Sequence, residues 1–418
     1  MSRALGALAA RADPAIAATL EAALAGEEVS AEDAAALYGA RGVDMHLVGM
    51  AADELRRRAC GDTVTYVINR NINFTNVCVK RCLFCAFSRD HRTEEGYMLP
   101  VEEIARRAAE AQRMGATEVC IQAGLPPDME PDLYERVCGA VRNAAPGIHI
   151  HAFSPEEVLY GARAAGVKVE EFVARLAAAG VGSLPGTSAE ILDQSVRDRI
   201  SPGRISVDDW IRVVRAAHRA GIRTTSTMMF GHVETAIERT RHIALIRSIQ
   251  RETRGFTEFV PLNFVHDEAP LGAREELGAR PGAGAPELLL THAIARIMLA
   301  GEIDNIQMSW VKDGPAVARV LLHWGANDFG GTLINESIST SAGSAHGQLM
   351  RPAQIRRAIR EAGRVPAQRL TDYAVARRYP READSEEGAL DAAPEAGFGS
   401  YAELVKIAKW RYGRPGRA

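Results

Sequence analysis

From Val64 onwards, short apolar runs alternate with longer stretches in which apolar residues recur every three or four positions. The short runs read as strands, at 65–72, 118–122, 148–152, 181–184, 224–229, 257–262, 305–309 and 324–326. The longer stretches read as helices, around 101–114, 131–143, 155–165, 169–179, 207–220, 236–251, 286–300 and 315–323. Strands alternating with helices predict an α/β fold, a (β/α)8 TIM-type barrel spanning residues 61–350. A doubly wound open sheet would alternate too, but no G-x-G-x-x-G follows the first strand. Residues 1–60 are Ala-rich and predict an N-terminal helical extension, with Asp13-Pro14 and Ser30 opening two of its helices. Residues 351–418 predict a C-terminal tail: a helix at 352–362, an acidic linker at 385–400 and a basic helix at 401–412 that packs back on the body.

Composition narrows the setting. The 418 residues carry 50 Lys and Arg against 53 Asp and Glu, a net charge of −3. That balance gives no electrostatic case for a nucleic-acid partner. No apolar run reaches the ~18 residues of a membrane helix, and Arg11 and Asp13 interrupt the first segment before it resembles a signal peptide. The expectation is a cytoplasmic protein with no membrane partner.

Of six cysteines, Cys60, Cys120 and Cys138 are scattered and read as small buried apolar residues. Cys78, Cys82 and Cys85 share one loop after the first strand, spaced C-x3-C-x2-C. Three thiolates in one loop can hold a four-iron cluster and leave one iron open for chemistry. The alternative is a structural zinc site, which needs four Cys or His ligands. No second Cys pair is present, though His91 could complete a set.

Active sites of such barrels lie at the C-terminal ends of the strands. Polar residues and glycines gather there: Gln122 and Gly124 after the second strand, His151 and Ser154 after the third, Ser183 and Gly186 after the fourth. Then come Gly231 and His232 after the fifth, His266 after the sixth, and Asn327 and Asp328 after the eighth. Some are simply caps or turn formers, Ser154 before Pro155 among them. His151, His232 and His266 together offer neutral donors or proton carriers near neutral pH.

The cysteine spacing is similar to that of radical S-adenosylmethionine (SAM) enzymes, in which the amino and carboxylate groups of SAM chelate the open iron. The run 69–87, NRNINFTNVCVKRCLFCAF, resembles more narrowly the CofH-type tyrosine 4-hydroxyphenyl transferase half of FO synthase. The likeness continues in IQAGLPP, HAFSPEEV, LPGTSAEIL, FVPLNFVHDEAPL, GANDFGGTLINESI and QRLTDY, over residues 64–373. It implies a 4Fe-4S cluster on Cys78, Cys82 and Cys85, with SAM near Phe84, Gln122 and Gly124. Ser154 and Ser183 join this cofactor set as strand-end candidates. It implies that SAM yields a 5′-deoxyadenosyl radical and that L-tyrosine breaks between Cα and Cβ. The 4-hydroxybenzyl group goes to 5-amino-6-(D-ribitylamino)uracil and 2-iminoacetate leaves. His232, Asn327, Asp328 and Glu336 are expected near the two substrates. The family reads Gln-Gly-Gly at the second strand where this chain has Ala123, a methyl that is tolerable if φ stays negative. A reductant such as flavodoxin or ferredoxin, and a separate ring-closing radical SAM subunit, are the implied partners. Two rivals share features: a radical SAM enzyme of the futalosine menaquinone pathway, and a non-catalytic metal-binding or sensor protein.

Overall fold

The computed structural model describes residues 11–92, 96–380 and 388–412. The first ten residues and the start of the acidic linker, 385–387, lie outside them. Six strands form one parallel sheet in the order β2-β3-β4-β5-β6-β7: Asn69–Ile72, Glu118–Ile121, His149–Ala152, Ser183–Leu184, Arg223–Phe230 and Phe256–Asn263. A second sheet runs β10-β9-β1-β8, with β1 Thr63–Val67, β8 Asp328–Gly331, β9 Val365–Arg369 and β10 Val375–Arg378. The two sheets join into a ring. β1 runs on into β2 past Ile68, and residues 306–307 bridge β7 at Phe259 and β8 at Asp328. The result is an α/β TIM-type barrel. Its helices bury one face against the strands, as Val207–Arg219 does with Trp210, Val213, Val214 and Ala217 under a Ser206 cap.

Three observations differ from expectation. The segment 324–326 is not a strand: the N–H groups of Trp324 and Ala326 both return to the Leu321 carbonyl, and Gly325 takes φ +98°, so this is the end of a helix. The last stave therefore begins at Asp328. Residues 305–309 pair through isolated bridges, and the helix after them starts at Trp310 and kinks at Gly314-Pro315. Residues 365–369, expected in a tail, form a strand beside β1, in register from Thr63↔Val365 to Tyr66↔Gln368.

The N-terminal helices Pro14–Ala25, Ala31–Ala36 and Val43–Cys60 form as expected, with side-chain caps at Asp13 and Ser30. Within the expected linker, Leu390 is buried and Arg351 donates to the carbonyls of Leu390, Asp391 and Ala393. The C-terminal stretch turns twice rather than forming one helix. It returns to the cysteine loop's neighbours, with the Tyr401 ring 5.6 Å from Phe87 and the Met98 N–H on the Trp410 carbonyl.

Candidate active site

The strands of this barrel alternate unusually. On β2 and just beyond it, Asn69, Asn71 and Asn73 face the lumen while Arg70, Ile72 and Phe74 are buried outside it. On β3 the inward set is Glu118, Cys120 and Gln122, on β6 Thr225, Thr227 and Met229, and on β7 Glu258, Val260 and Leu262. A packed TIM barrel fills these layers with branched apolar residues. Here they line a cavity of about 390 Å³ that continues up to the cysteine loop. The Oδ1 atoms of Asn71 and Asn73 are buried there without a protein partner. Buried polar atoms are normally paired, so these two are acceptors awaiting a ligand or water.

The floor is closed by the segment after β9. Arg369 reaches Asp328 (Nε–Oδ2 2.6 Å), the Thr371 hydroxyl donates to Glu118 (2.8 Å), and the Tyr373 hydroxyl donates to Glu258. Burial pushes the Glu258 carboxyl up, against the pull of Arg369.

At the upper end, Cys78, Cys82 and Cys85 all line the same cavity, together with Phe84, Gln122 and Gly124. The loop is stitched by Cys78 N–H to Arg89 O (3.1 Å) and Val79 N–H to Leu125 O (2.8 Å). Burial pushes the Cys82 thiol up to about 12, while Arg204 pulls it down. Arg204 stands 5.0 Å over the Phe84 ring and is paired with Glu190 at 2.6 Å. Among the described residues no three His, Cys, Asp or Glu side chains converge on a single ion. A cubane asks for less convergence, because each thiolate takes a different iron. His91 does not line the cavity and sits 3.6 Å from Asp90, so it does not complete a zinc set there. The donor set and the adjoining cavity therefore fit a 4Fe-4S cluster with one open iron.

Gly124 lies close under the loop: a Cβ there would stand 2.2 Å from the Val77 carbonyl oxygen. Ala123 is not among the residues with positive φ, so its methyl costs nothing in the backbone. Its N–H donates to Glu157 Oε1 (2.9 Å), whose other oxygen takes the Ser154 N–H (2.8 Å) and hydroxyl (2.5 Å). Ser154 thus lines the cavity, but its hydroxyl is engaged in a helix cap. Burial pushes Glu157 up to about 7.

Five sequence-predicted side chains are not brought to the cavity. The Ser183 hydroxyl is held between His149 Nε2 and His151 Nδ1, at 2.7 Å each, and only His151 faces the lumen. His232 is fully buried, with Nε2 on the Met229 carbonyl (2.9 Å) and Nδ1 accepting from Val233 N–H (2.8 Å). Asn327 ties Arg296, the Ile306 N–H and Asn305 together at the lower end of the last stave. Asp328 lies behind Arg369. The last two are misplaced because the stave begins at Asp328 rather than ending before Asn327. His266 is exposed beside Asp267. Glu336 does line the cavity, its carboxylate gripped by the N–H groups of Ile338, Ser339 and Thr340. Missed were Arg204, Lys312, Glu157 and the lumen residues. Only the last left a signal, the polar alternation of N-R-N-I-N and E-V-C-I-Q.

Comparison with known proteins settles the relationship. Residues 72–246 match the radical SAM superfamily, and residues 253–382 match the CofH/MqnC C-terminal region. A 5-amino-6-(D-ribitylamino)uracil–L-tyrosine 4-hydroxyphenyl transferase of Methanothermobacter thermautotrophicus is 48% identical, over 83% of this chain and 94% of its own length. The Archaeoglobus fulgidus protein of the same name is 50% identical, over 77% and 91%. The chain belongs to this radical SAM transferase family. The FO synthase of Nocardia farcinica also matches, at 47% identity over 82% of this chain but only 40% of that protein. The family's fold recurs in methylornithine synthase, with TM-score 0.66 at 18% identity, covering 85% of this chain and 98% of that one. The family assignment does not favour the menaquinone-pathway rival or the sensor.

Proposed function

We propose that the protein cleaves L-tyrosine between Cα and Cβ, transfers the 4-hydroxybenzyl group to 5-amino-6-(D-ribitylamino)uracil and releases 2-iminoacetate, in deazaflavin biosynthesis. The observation that carries this reading is one cavity shared by the three-cysteine loop and a polar lumen, in a chain whose match covers 94% and 91% of two relatives that bear this name.

Cys78, Cys82 and Cys85 would hold the cluster, which would supply the electron for reductive cleavage of SAM to methionine and a 5′-deoxyadenosyl radical. The protein's own part is binding, orientation and exclusion of water. Phe84, Gln122 and the Gly124 backbone, which line the cavity with the three cysteines, would flank SAM. The lumen asparagines, Thr225, Thr227 and His151 offer the mixed donors and acceptors that a diaminouracil with a polyol chain needs. Glu336 stands at the substrates as a fixed carboxylate. Asn327, Asp328 and His232 act through the scaffold. A ring-closing radical SAM subunit of FO synthase is the proposed functional partner. A flavodoxin or ferredoxin is the proposed electron donor. A reducing cytoplasm suits the cluster, and no described helix is long and apolar enough to cross a membrane.

Anaerobic incubation of the reconstituted protein with SAM, dithionite and the diaminouracil, with and without tyrosine, tests the reading. 5′-Deoxyadenosine formation that depends on tyrosine supports it. Formation indifferent to tyrosine removes it.

A further inference from the structure

Strand register sorts the lumen into levels. Asn71 pairs with Cys120 and Cys120 with His151, so these three side chains line the cavity at one height. Below them Asn69 Nδ2 donates to Glu118 Oε1 (2.9 Å), and above them Gln122 stands at the cysteine end. From Glu118 to Gln122 the strand advances about 13 Å, at ~3.3 Å per residue. Three polar atoms of the lower lumen have no partner among the described residues. Glu258 Oε2 accepts from the Tyr373 hydroxyl and from Gln307 Nε2 (2.7 Å), and Arg369 Nη2 stands 3.7 Å from the same oxygen, which leaves Oε1 unused. His151 Nδ1 is taken by Ser183 (2.7 Å), which leaves Nε2. Asn71 Nδ2 has no partner either. Unlike Oδ1 of Asn71 and Asn73, these three atoms are accessible from the cavity. Glu258 is only 5% exposed and His151 7%, so each is built into the wall with one atom left for an occupant.

The chemistry of that occupant follows from what is free. Among the described residues the cation at this depth is Arg369, and it is spent: Nε and Nη2 hold Asp328 (2.6 and 3.2 Å), and Nη1 donates to the Leu370 carbonyl (3.3 Å). An anionic group would find no counter-charge there. The phenylalanines that line the cavity, Phe84, Phe87 and Phe264, belong to the cysteine loop and to the residue beyond the upper end of β7, so a flat ring is better received above. An uncharged chain of hydroxyls suits the lower level. A hydroxyl donates to Glu258 Oε1 and accepts from Asn71 Nδ2, and it serves His151 Nε2 in either tautomer. Several hydroxyls in a row also reach atoms that sit on different strands.

We propose that the lower lumen is a polyol site, in which Glu258 Oε1, Asn71 Nδ2 and His151 Nε2 bind the hydroxyls of the ribityl chain and the diaminouracil ring stands above, toward Gln122 and the cysteine loop. This rests on the transferase reading and adds which end of the acceptor lies deepest and which residues select it. Tyr373 and Gln307 are positioning residues: they hold Oε2 and so aim Oε1. The phenol of tyrosine is also an uncharged hydroxyl, and the test carries an arm for it.

The test compares 5-amino-6-(D-ribitylamino)uracil with 5,6-diaminouracil, which lacks only the chain. Dissociation constants are measured by anaerobic equilibrium dialysis on the reconstituted protein. The wild type binds the ribityl compound about 10- to 100-fold more tightly, as a hydrogen bond to a buried charged group requires. E258L binds the two alike, at the wild-type level for 5,6-diaminouracil. E258Q can keep Tyr373 and Gln307 on its carbonyl while an amide N–H replaces Oε1, and it retains part of the preference. Tyrosine and SAM affinities stay at wild-type values in both variants. A wild type indifferent to the chain overturns the proposal, as does an undiminished preference in E258Q, which decides alone if E258L does not fold. Loss of tyrosine affinity in place of the chain preference puts the phenol on Glu258 and overturns it too. A wild type that prefers the chain but forms no tyrosine-dependent 5′-deoxyadenosine refutes the transferase reading and leaves the polyol site standing. One that turns over tyrosine and benzylates 5,6-diaminouracil with the kcat/KM of the ribityl compound refutes the polyol site alone.

Discussion

Gly124→Ala tests how closely the lumen and the cysteine loop are built together. The added Cβ would lie 2.2 Å from the Val77 carbonyl oxygen, 2.8 Å from its carbonyl carbon and 3.1 Å from the Asn76 carbonyl carbon. Ordinary contacts of this kind stand near 3.5 Å, so the backbone must part by roughly 1 Å. Neither side yields freely. Gly124 N–H is bound to Thr75 O and Val79 N–H to Leu125 O, both at 2.8 Å, so separation breaks or stretches bonds on both flanks of Val77. Overpacking of this kind costs about 1–3 kcal/mol. Much of that strain falls on Cys78, the next residue along. The variant should therefore fold, with a lower melting temperature, and hold far less iron and sulfide per chain after anaerobic reconstitution. Its visible absorption and SAM cleavage should fall in the same proportion as its iron. Wild-type iron content together with wild-type SAM cleavage in G124A would refute this picture of the loop.

Cys82→Ser should abolish SAM cleavage with an unchanged far-ultraviolet circular dichroism spectrum; retained turnover would remove the cluster assignment. His232→Phe should lower stability by about 1–3 kcal/mol through two buried hydrogen bonds left unmade, and leave KM for tyrosine unchanged; a raised KM at wild-type stability would restore His232 to the site. For Glu157, burial raises the folded-state value to about 7 from an ordinary 4.5. Between those values the folded protein holds the extra proton, so this group's contribution to stability falls as pH rises from about 4.5 to about 7. Melting temperatures of the metal-free protein across that window should therefore drop less steeply in Glu157→Gln than in the wild type, and equal slopes would contradict the assigned burial.

The cysteine loop was legible because its ligands are adjacent in sequence and their spacing alone carries the chemistry. Most staves and helices were legible from periodicity, since β6, β7 and the amphipathic helices each run long enough to show one. The last stave was not. Trp324, Gly325 and Ala326 are apolar because they pack under the N-terminal helices, Trp324 against Gly49, and not because they alternate. That slip carried Asn327 and Asp328 to the wrong end of the barrel. Attention to strand ends also hid the middle of the strands, where every second residue of β2 and β3 is polar or a cysteine. Arg369 and Thr371 were out of reach for another reason. They enter the lumen through pairing of β9 with β1, an association of segments some 300 residues apart that no local pattern encodes. Arg204 comes from a bend and Lys312 from the first turn of the helix that starts at Trp310, where a charged side chain looks the same whether it faces solvent or a cavity.

The most direct test of the account follows the carbon skeleton. Tyrosine labelled in its ring and at Cα is given to the reconstituted protein with SAM, a reductant and 5-amino-6-(D-ribitylamino)uracil, and products are resolved by mass spectrometry. The account predicts the ring label in a pyrimidine adduct heavier by the 4-hydroxybenzyl group, and the Cα label in 2-iminoacetate or the glyoxylate it hydrolyses to. Ring and Cα labels that stay in one molecule while 5′-deoxyadenosine accumulates would contradict it.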